Sequence, residues 1–280
     1  MMIALTLAVS VLFGVSADFS GEITANSEGI PEGDGVVVSY PSMTSPMGLD
    51  YDPANAWLWQ ATEDGGWVYT LDPTTGSYTQ RFNIPTYFGG ADLNSNGAYL
   101  DDAENNLYLS DYNGDGGATI SDAIYCFDVD TPDSPILLNY WDLGTLDGLL
   151  GITYKAPYFY CTFYGAGQLR SYTLGSGGAF TLENSWSGSY GGIWYDAAWN
   201  VFYTHDALGT TVRVLDGDDP SDLLDSFVPG CALSCAMSDA ADPEYLWTSE
   251  FSGQTNNKID DEYVPVPLVR STWGSIKTVF

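Results

Sequence analysis

The chain of 280 residues has 37 acidic and 7 basic side chains, a net charge of −30, with 45% apolar and 15% aromatic residues. This apolar content can fill a sizeable core, which excludes an intrinsically disordered protein. The few Lys and Arg residues exclude nucleic acid as a partner, because phosphate binding depends on basic side chains. The single histidine excludes a metal site built from several imidazoles.

The N-terminus predicts an exported protein. Residues 1–17 are apolar, too short to cross a bilayer comfortably, and end in Val-Ser-Ala, the small residues that signal peptidase recognises. No Lys or Arg precedes the apolar run, which is unusual for a signal peptide, and a buried core segment is the alternative. We expect cleavage before Asp18, an N-terminal segment at 18–34, no membrane span, and a secreted or cell-surface location.

Residues 35–263 contain five copies of one short pattern. Each copy opens on a small residue and continues, roughly ten residues later, with an apolar or aromatic pair followed by a small polar residue. The opening residues are Gly48, Gly97, Gly151, Gly192 and Ala236. A third element follows in four copies, and a fourth has an aromatic residue four positions after an apolar one, as in Tyr78 and Phe82. Such repetition indicates one supersecondary unit per copy.

Four short strands per repeat predict an all-β fold, a β-propeller. The elements are β-branched or aromatic and bounded by Gly, Pro, Asp or Asn, and none has a sustained helical period. A further strand at 36–40 precedes the first repeat, whereas the last repeat lacks a clear fourth strand. We therefore expect the N-terminal strand to complete the last blade and to close a ring of five blades. A six-bladed propeller is the alternative.

The repeats resemble secreted bacterial propellers of the broad NHL/YVTN-like kind. The resemblance covers roughly residues 35–263 and is carried by runs such as Leu58-Trp59 and the segment from Val68 to Gly76. It implies the fold and little about function, since relatives include lyases and glutaminyl cyclases while most are binding or scaffold modules. The lyase type uses a metal-linked histidine arrangement, which a chain with one histidine lacks.

The stretch 111–122 predicts a calcium site. Its candidate ligands are Asp111, Asn113, Asp115, Gly117 through its carbonyl, and Asp122. Ca²⁺ takes six to eight oxygen ligands, and this spacing with glycine at the sixth place resembles the loops of dockerins and EF-hands. Here the loop joins two strands, and Asp in place of Glu at the twelfth position shortens the closing arm. The alternative is an Asn/Asp/Gly hairpin without an ion.

A second, incomplete stretch offers another calcium site. Its candidate ligands are Asp92, Asn94 and Asn96. The twelfth position is Ala103, so Asp101 or Asp102 would have to close the site.

The four cysteines predict at most two disulfides. Cys231 and Cys235 lie between repeats four and five, and a tight loop allows a disulfide across the three residues between them. Cys126 and Cys161 lie on neighbouring blades. We expect buried thiols there, with a disulfide as the alternative.

Carboxylates at the ends of the innermost strands have two interpretations. Asp52, Asp101, Asp196 and Asp239 could line the central channel and support glycoside hydrolysis, which needs a pair of carboxylic acids. They also stand in turns, where Asp caps backbone N–H groups, and this second interpretation is favoured. His205 follows a strand and is expected in a loop.

Together these patterns predict an exported, calcium-stabilised propeller that serves as a binding or surface-display module for a carbohydrate or a protein. The alternative is a carbohydrate-active enzyme, a glycosidase or lyase, with carboxylates in the central channel. Residues 264–280 form a linker and tail that either attaches the protein to a cell surface or packs on the propeller. The Pro pair near its start favours an extended linker.

Overall fold

The fold was determined as a computed structural model. It describes residues 35–90, 93–112, 121–175, 178–206, 209–233 and 245–260, together with the backbone of 15–17, 23–25 and 238–239. In this part of the chain the secondary structure is strands with two short 3-10 turns, Asp64–Gly66 and Ile84–Phe88. No helix in these ranges has the length and apolar character needed to cross a membrane.

The strands form five antiparallel sheets. Three N-terminal strands are β1 (Val15–Ala17), β2 (Ile23–Ala25) and β3 (Val36–Pro41). Blade 1 contains β4 (Pro46–Asp52), β5 (Trp57–Thr62), β6 (Trp67–Leu71) and β7 (Tyr78–Asn83). Blade 2 contains β8 (Ala98–Asp101), β9 (Asn106–Asp111), β10 (Ala123–Asp128) and β11 (Ile136–Asp142). Blade 3 contains β12 (Leu149–Lys155), β13 (Tyr158–Phe163), β14 (Gln168–Leu174) and β15 (Phe180–Ser187). Blade 4 contains β16 (Ile193–Asp196), β17 (Val201–His205), β18 (Val212–Asp216) and β19 (Leu223–Phe227). Blade 5 contains β20 (Ser238–Asp239), β21 (Tyr245–Glu250) and β22 (Thr255–Asp260).

The N-terminal strand closes the ring, as the sequence predicts. Strand β3 pairs with β22, with Tyr40 opposite Asn256, and so becomes the fourth strand of blade 5. Tyr40 also stacks on Trp247 at a centroid distance of 6.0 Å and donates a hydrogen bond of 2.9 Å to the Thr74 carbonyl of blade 1. The closing strand therefore joins the last blade to the first.

Two strands beyond the closing strand are not predicted from the sequence. Strand β2 pairs with β3, and β1 pairs with β2, so the sheet of blade 5 has six strands. Strand β1 falls inside the predicted signal peptide, and removal of that peptide would leave β2 as the outermost strand.

Apolar and aromatic side chains fill the spaces between blades. Trp59 of blade 1 and Phe127 of blade 2 belong to one fully buried cluster. Cys126 and Cys161 lie together in the cluster between blades 2 and 3, and both are buried free thiols, as expected. Burial of each large side chain stabilises the fold by about 1.5–3 kcal/mol.

Neighbouring innermost strands approach each other too closely for side chains at three glycines. A Cβ on Gly48 would lie 2.5 Å from the backbone nitrogen of Ala98, and one on Gly97 would lie 2.5 Å from the Leu150 carbonyl oxygen. A Cβ on Gly151 would lie 2.9 Å from the Ile193 nitrogen. These glycines open their repeats because the backbone of the next blade occupies the space of a side chain.

Hydroxyl groups bridge the same points of approach. Ser110 accepts the Gly97 N–H of its own blade at 2.6 Å and donates to the Leu150 carbonyl of the next blade. Thr162 does the same between the Gly151 N–H and the Gly191 carbonyl. The repeated small polar residue therefore satisfies buried backbone groups at blade interfaces.

Substitution of Gly97 by Ala should weaken the propeller strongly. The new methyl group would collide with the backbone of β12, and such overpacking costs about 1–3 kcal/mol or more. Urea denaturation should show this as a lower midpoint. The matched control is Gly175→Ala, where the added Cβ would lie 3.6 Å from its nearest neighbour, the Ala179 oxygen. Equal midpoints for the two variants would contradict the close approach of the strands.

Candidate functional site

One opening among the innermost strands lies where these strands turn into the second strands. We call this side of the propeller the inner-turn face. A cavity of about 340 Å³, here called the mouth cavity, is lined there by residues of blades 1 to 4. Its aromatic lining residues are Tyr51, Tyr99, Tyr154, Trp194 and Tyr195. All five are partly exposed, so their rings are accessible from solvent.

A second cavity of about 260 Å³, the side cavity, adjoins the first between blades 2 and 3. Tyr99 and Tyr154 line both cavities, and their ring centroids are 6.0 Å apart with an interplanar angle of 35°. Phe159 supports this pair from behind, 4.8 Å from Tyr154. The tyrosine pair therefore forms a rigid aromatic wall shared by two openings.

The charged groups that line these cavities are carboxylates. Asp50 and Asp102 line the mouth cavity, and Asp101 lines the side cavity. Burial raises the pKa of Tyr99, and the negative charges of Asp101 and Asp50 raise it further. The site is therefore electronegative as well as aromatic.

The carboxylates predicted to stand at inner-strand ends are mostly turn caps. Asp52 is 1% exposed and accepts the Asn55 N–H at 3.0 Å, and Asp101 accepts the Ala103 N–H at 3.2 Å. Asp196 accepts the Ala198 N–H at 2.7 Å, and burial raises its pKa. Neither Asp52 nor Asp196 lines the mouth cavity. The capping interpretation agrees with these contacts, while the side chain of Asp239 lies outside the described residues.

The predicted calcium loop joins β9, which ends at Asp111, to β10, which begins at Ala123. Asn113, Asp115 and Gly117 lie outside the described residues, so the calcium site stays a prediction. Asp111 ends β9, is fully buried, and accepts a hydrogen bond of 2.9 Å from the Tyr125 hydroxyl. Within the described ranges, no three His, Cys, Asp or Glu residues are grouped to hold a metal ion.

Asp122, the predicted twelfth ligand, binds the connection between blades 2 and 3. Its Oδ2 accepts the Thr145 hydroxyl at 2.8 Å and the Asp147 N–H at 2.7 Å. Its Oδ1 accepts the N–H groups of Gly148 at 3.1 Å and Leu149 at 2.9 Å. A carboxylate has about four lone-pair sites, and these four contacts use them. Asp122 therefore has a structural role with or without an ion.

Asn96 of the second predicted calcium stretch contacts Tyr112 in the first. Asn96 is buried, its Oδ1 accepts the Tyr112 N–H at 3.0 Å, and its N–H donates to the Ser110 carbonyl at 2.7 Å. Asn94 is partly buried, and Asp92 lies outside the described residues. The second calcium site therefore stays a prediction, with Asn96 already engaged in backbone hydrogen bonds.

Two predictions remain, the disulfide between Cys231 and Cys235 and the loop position of His205. Cys231 is partly buried in the connection after β19, and Cys235 lies outside the described residues, so their disulfide stays a prediction. The loop placement of His205 is wrong, because this residue ends strand β17 and is fully buried. In the sequence this polar residue directly follows the mostly apolar residues of β17, and no pattern there indicates that it is buried.

His205 stands in its strand where Ser110 and Thr162 stand in theirs, and like them it accepts the N–H of the opening glycine of its own blade. Its Nε2 accepts the Gly192 N–H at 3.0 Å, so its Nδ1 carries the proton and donates to the Asp206 carbonyl at 2.9 Å. Burial lowers the pKa of His205 to about 4, since desolvation disfavours the charged ring. The ring is neutral and structural at neutral pH.

Sequence reasoning missed the mouth cavity. Three of its tyrosines stand third after the opening glycine of their repeats, at Tyr51, Tyr154 and Tyr195. This recurrence is a signal, but in the sequence it is indistinguishable from the aromatic residues that pack between blades.

Comparisons with known proteins show the fold alone. No family model matches the chain, and no curated protein matches it. Among solved structures, a glutaminyl cyclase from Myxococcus xanthus matches with a TM-score of 0.59 and 10% identity, over 80% of this chain and 94% of that one. A luciferin-regenerating enzyme matches with a TM-score of 0.53 and 10% identity, over 79% and 94%. A chain of a nidogen/laminin complex matches with a TM-score of 0.52 and 15% identity, over 77% and 75%.

Acid should destabilise the protein through His205. The unfolded chain binds a proton near the ordinary pKa of 6.5, whereas the folded chain binds it only near 4. The free energy of unfolding therefore falls as pH falls through this window, by at most about 1.4 kcal/mol per pH unit. His205→Ser should remove this component. Urea denaturation of both proteins between pH 7 and pH 4 measures the difference, and parallel pH profiles would contradict a buried neutral histidine.

Proposed function

We propose that this propeller is a non-catalytic binding module whose ligand enters the mouth cavity. The observation that carries the proposal is the ring of five partly exposed aromatic side chains around an opening on the central axis. Its volume of about 340 Å³ lies at the lower end of the range of about 300–1,000 Å³ found for small-molecule sites. A sugar ring or a protruding side chain of a protein is of suitable size.

The environments of the carboxylates favour binding over catalysis. An acid catalyst at neutral pH needs a raised pKa and a face on the site. Asp196 has a raised pKa but accepts two backbone N–H groups in its turn and does not line the mouth cavity. Asp50 lines the cavity, and its oxygens accept the N–H groups of Tyr51 at 3.0 Å and Leu100 at 2.5 Å. Asp196 is therefore turned away from the cavity, and the oxygens of Asp50 already hold backbone N–H groups.

The remaining parts of the proposal rest on the sequence. The apolar segment 1–17 supports export, and the loop 111–122 supports stabilisation by calcium. The tail 264–280, with its pair of prolines, supports attachment to a cell surface. A net charge of −30 keeps such a protein soluble and repels anionic partners. The competing function is a glycosidase or lyase, since two of the structural neighbours are enzymes by name.

Removal of one aromatic ring from the lining of the mouth cavity should weaken ligand binding. A glycan and peptide array with the full chain would provide the ligand, and calorimetry would measure its affinity. Trp194→Leu keeps an apolar side chain but removes the ring, and should cost about 0.5–1.5 kcal/mol of binding free energy beyond the area lost. The control is Tyr164→Leu, because Tyr164 is 53% exposed in the β13–β14 turn on the opposite face. Equal affinities of the two variants would contradict binding in the mouth cavity. If the chain hydrolyses an array compound and Asp102→Asn does not, the protein is an enzyme.

Calcium should raise the stability of the protein. Binding to the folded state alone adds about 2.7 kcal/mol when free Ca²⁺ is a hundredfold above its dissociation constant. Thermal unfolding should therefore shift upward in millimolar Ca²⁺ and much less in Mg²⁺, which prefers smaller octahedral sites. Asp115→Ala should abolish the shift.

Asp122→Asn separates the structural role from the calcium role. This change replaces an acceptor by a donor that faces N–H groups, and leaving such buried groups unsatisfied costs about 1–3 kcal/mol. The loss should appear in a chelator as well as in calcium. If calorimetry detects no Ca²⁺ binding to the unaltered chain, or if Asp115→Ala binds it equally well, the loop is a hairpin without an ion.

A further inference from the structure

The lining of the two inner-turn cavities contains negative but no positive side chains among its described residues. Asp50, Asp101 and Asp102 supply the negative charges. The nearest basic residue in sequence is Lys155, which follows Tyr154. Its Nζ lies 2.8 Å from Asp218 Oδ1 and 2.6 Å from the Gly217 carbonyl oxygen, so its charge is paired, and it does not itself line the cavity. A ligand in the mouth cavity therefore experiences a negative potential.

The aromatic rings add to this potential. The face of an aromatic ring carries partial negative charge and attracts cations within about 6 Å of its centroid. Tyr195 already receives one cation, since Lys155 Nζ lies 5.4 Å from its ring centroid. Tyr99, Tyr154 and Trp194 are partly exposed and line the same cavity. The Trp194 ring is stacked on Tyr203 at a centroid distance of 5.8 Å, and Tyr99 and Tyr154 pack on each other, so a ligand would contact the parts of these three rings that stay exposed.

Other ligand classes fit this lining less well. An anion would be repelled by Asp50 and Asp102. A neutral polyol needs several donors and acceptors, yet the Thr153 hydroxyl oxygen already accepts the Tyr195 N–H at 3.3 Å and Asp50 accepts two backbone N–H groups. An organic cation needs no such set of donors and acceptors, because ring faces and a carboxylate replace its hydration shell without directional hydrogen bonds.

We propose that the mouth cavity binds a small organic ammonium ion, which lies against the ring faces of Tyr99, Tyr154 and Trp194 with Asp102 as its counter-charge. The proposal rests on the proposed function, because it names the ligand class of the same site. Asp102 is the exposed carboxylate of the cavity, in the turn after β8, whereas Asp50 is buried and holds backbone. Asp102 therefore contributes charge to the ligand without a part in folding.

A pair of matched probes isolates the role of charge. Choline and 3,3-dimethylbutan-1-ol have the same shape, but the second has carbon in place of the charged nitrogen. Calorimetry or NMR titration of the full chain should show choline binding at least tenfold tighter. Trp194→Leu should weaken choline binding by between about twofold and thirtyfold, the range of single cation–π contacts. Raising the salt concentration should weaken choline binding and leave the alcohol unaffected.

Asp102→Asn and Glu104→Gln form the matched pair of variants. Both residues are exposed in the turn 102–105, but only Asp102 lines the cavity. The first variant should weaken choline binding severalfold and reduce its salt dependence, and the second should not.

Three results would overturn the proposal: equal affinities for choline and the alcohol, equal effects of the two variants, or no choline binding at millimolar concentration. If an array ligand binds and Trp194→Leu weakens it while choline does not bind, the ammonium proposal fails and the proposed binding function stands. If Trp194→Leu weakens the binding of neither an array ligand nor choline, both the ammonium proposal and the proposed binding function fail.

Discussion

Contact between neighbouring innermost strands is the constraint on which the rest of the propeller depends. At Gly48, Gly97 and Gly151 the backbone of the next blade occupies the space of a side chain. Such an approach buries N–H and C=O groups, which must find partners in place of water. Ser110 and Thr162 provide those partners, each joining a glycine N–H of its own blade to a carbonyl of the next. Glycine and hydroxyl therefore recur together, because each makes the other necessary.

The mouth cavity lies a few residues beyond these glycines on the same strands. The innermost strands are closest at their opening glycines, and two to three residues later, at the inner-turn face, they carry large aromatic side chains instead. Tyr51, Tyr154 and Tyr195 stand third after a glycine, and Tyr99 and Trp194 stand second. Their rings line the opening. Each innermost strand therefore combines a glycine that admits the next blade with an aromatic side chain that lines the cavity.

The sequence predicts the architecture well because repetition is a global signal, and predicts the sites less well because they depend on single contacts. Five blades and closure by β3 follow from counting recurrent strands, and the structure confirms both. The burial of His205 does not follow, since nothing in a polar residue at a strand end shows that a buried Gly192 N–H needs an acceptor there. The role of Asp122 is equally hidden, because its partners at 145–149 lie in the next blade connection. The spacing along the chain predicts Asp122 as a metal ligand, whereas its tertiary contacts show it accepting backbone hydrogen bonds.

The distribution of carboxylates connects the acidic composition to the site. Many of the acidic side chains hold backbone, as Asp52 and Asp196 do in their turns, and their charge is offset locally by N–H groups. Such residues add to the net charge without marking a site. At the mouth cavity, by contrast, Asp102 is exposed beside rings whose own faces are negative. Carboxylates and negative ring faces repel one another, and a cation would relieve that repulsion on binding. Two features together therefore distinguish this opening from the rest of the acidic surface, namely an exposed carboxylate and aromatic ring faces. Neither feature alone selects a ligand.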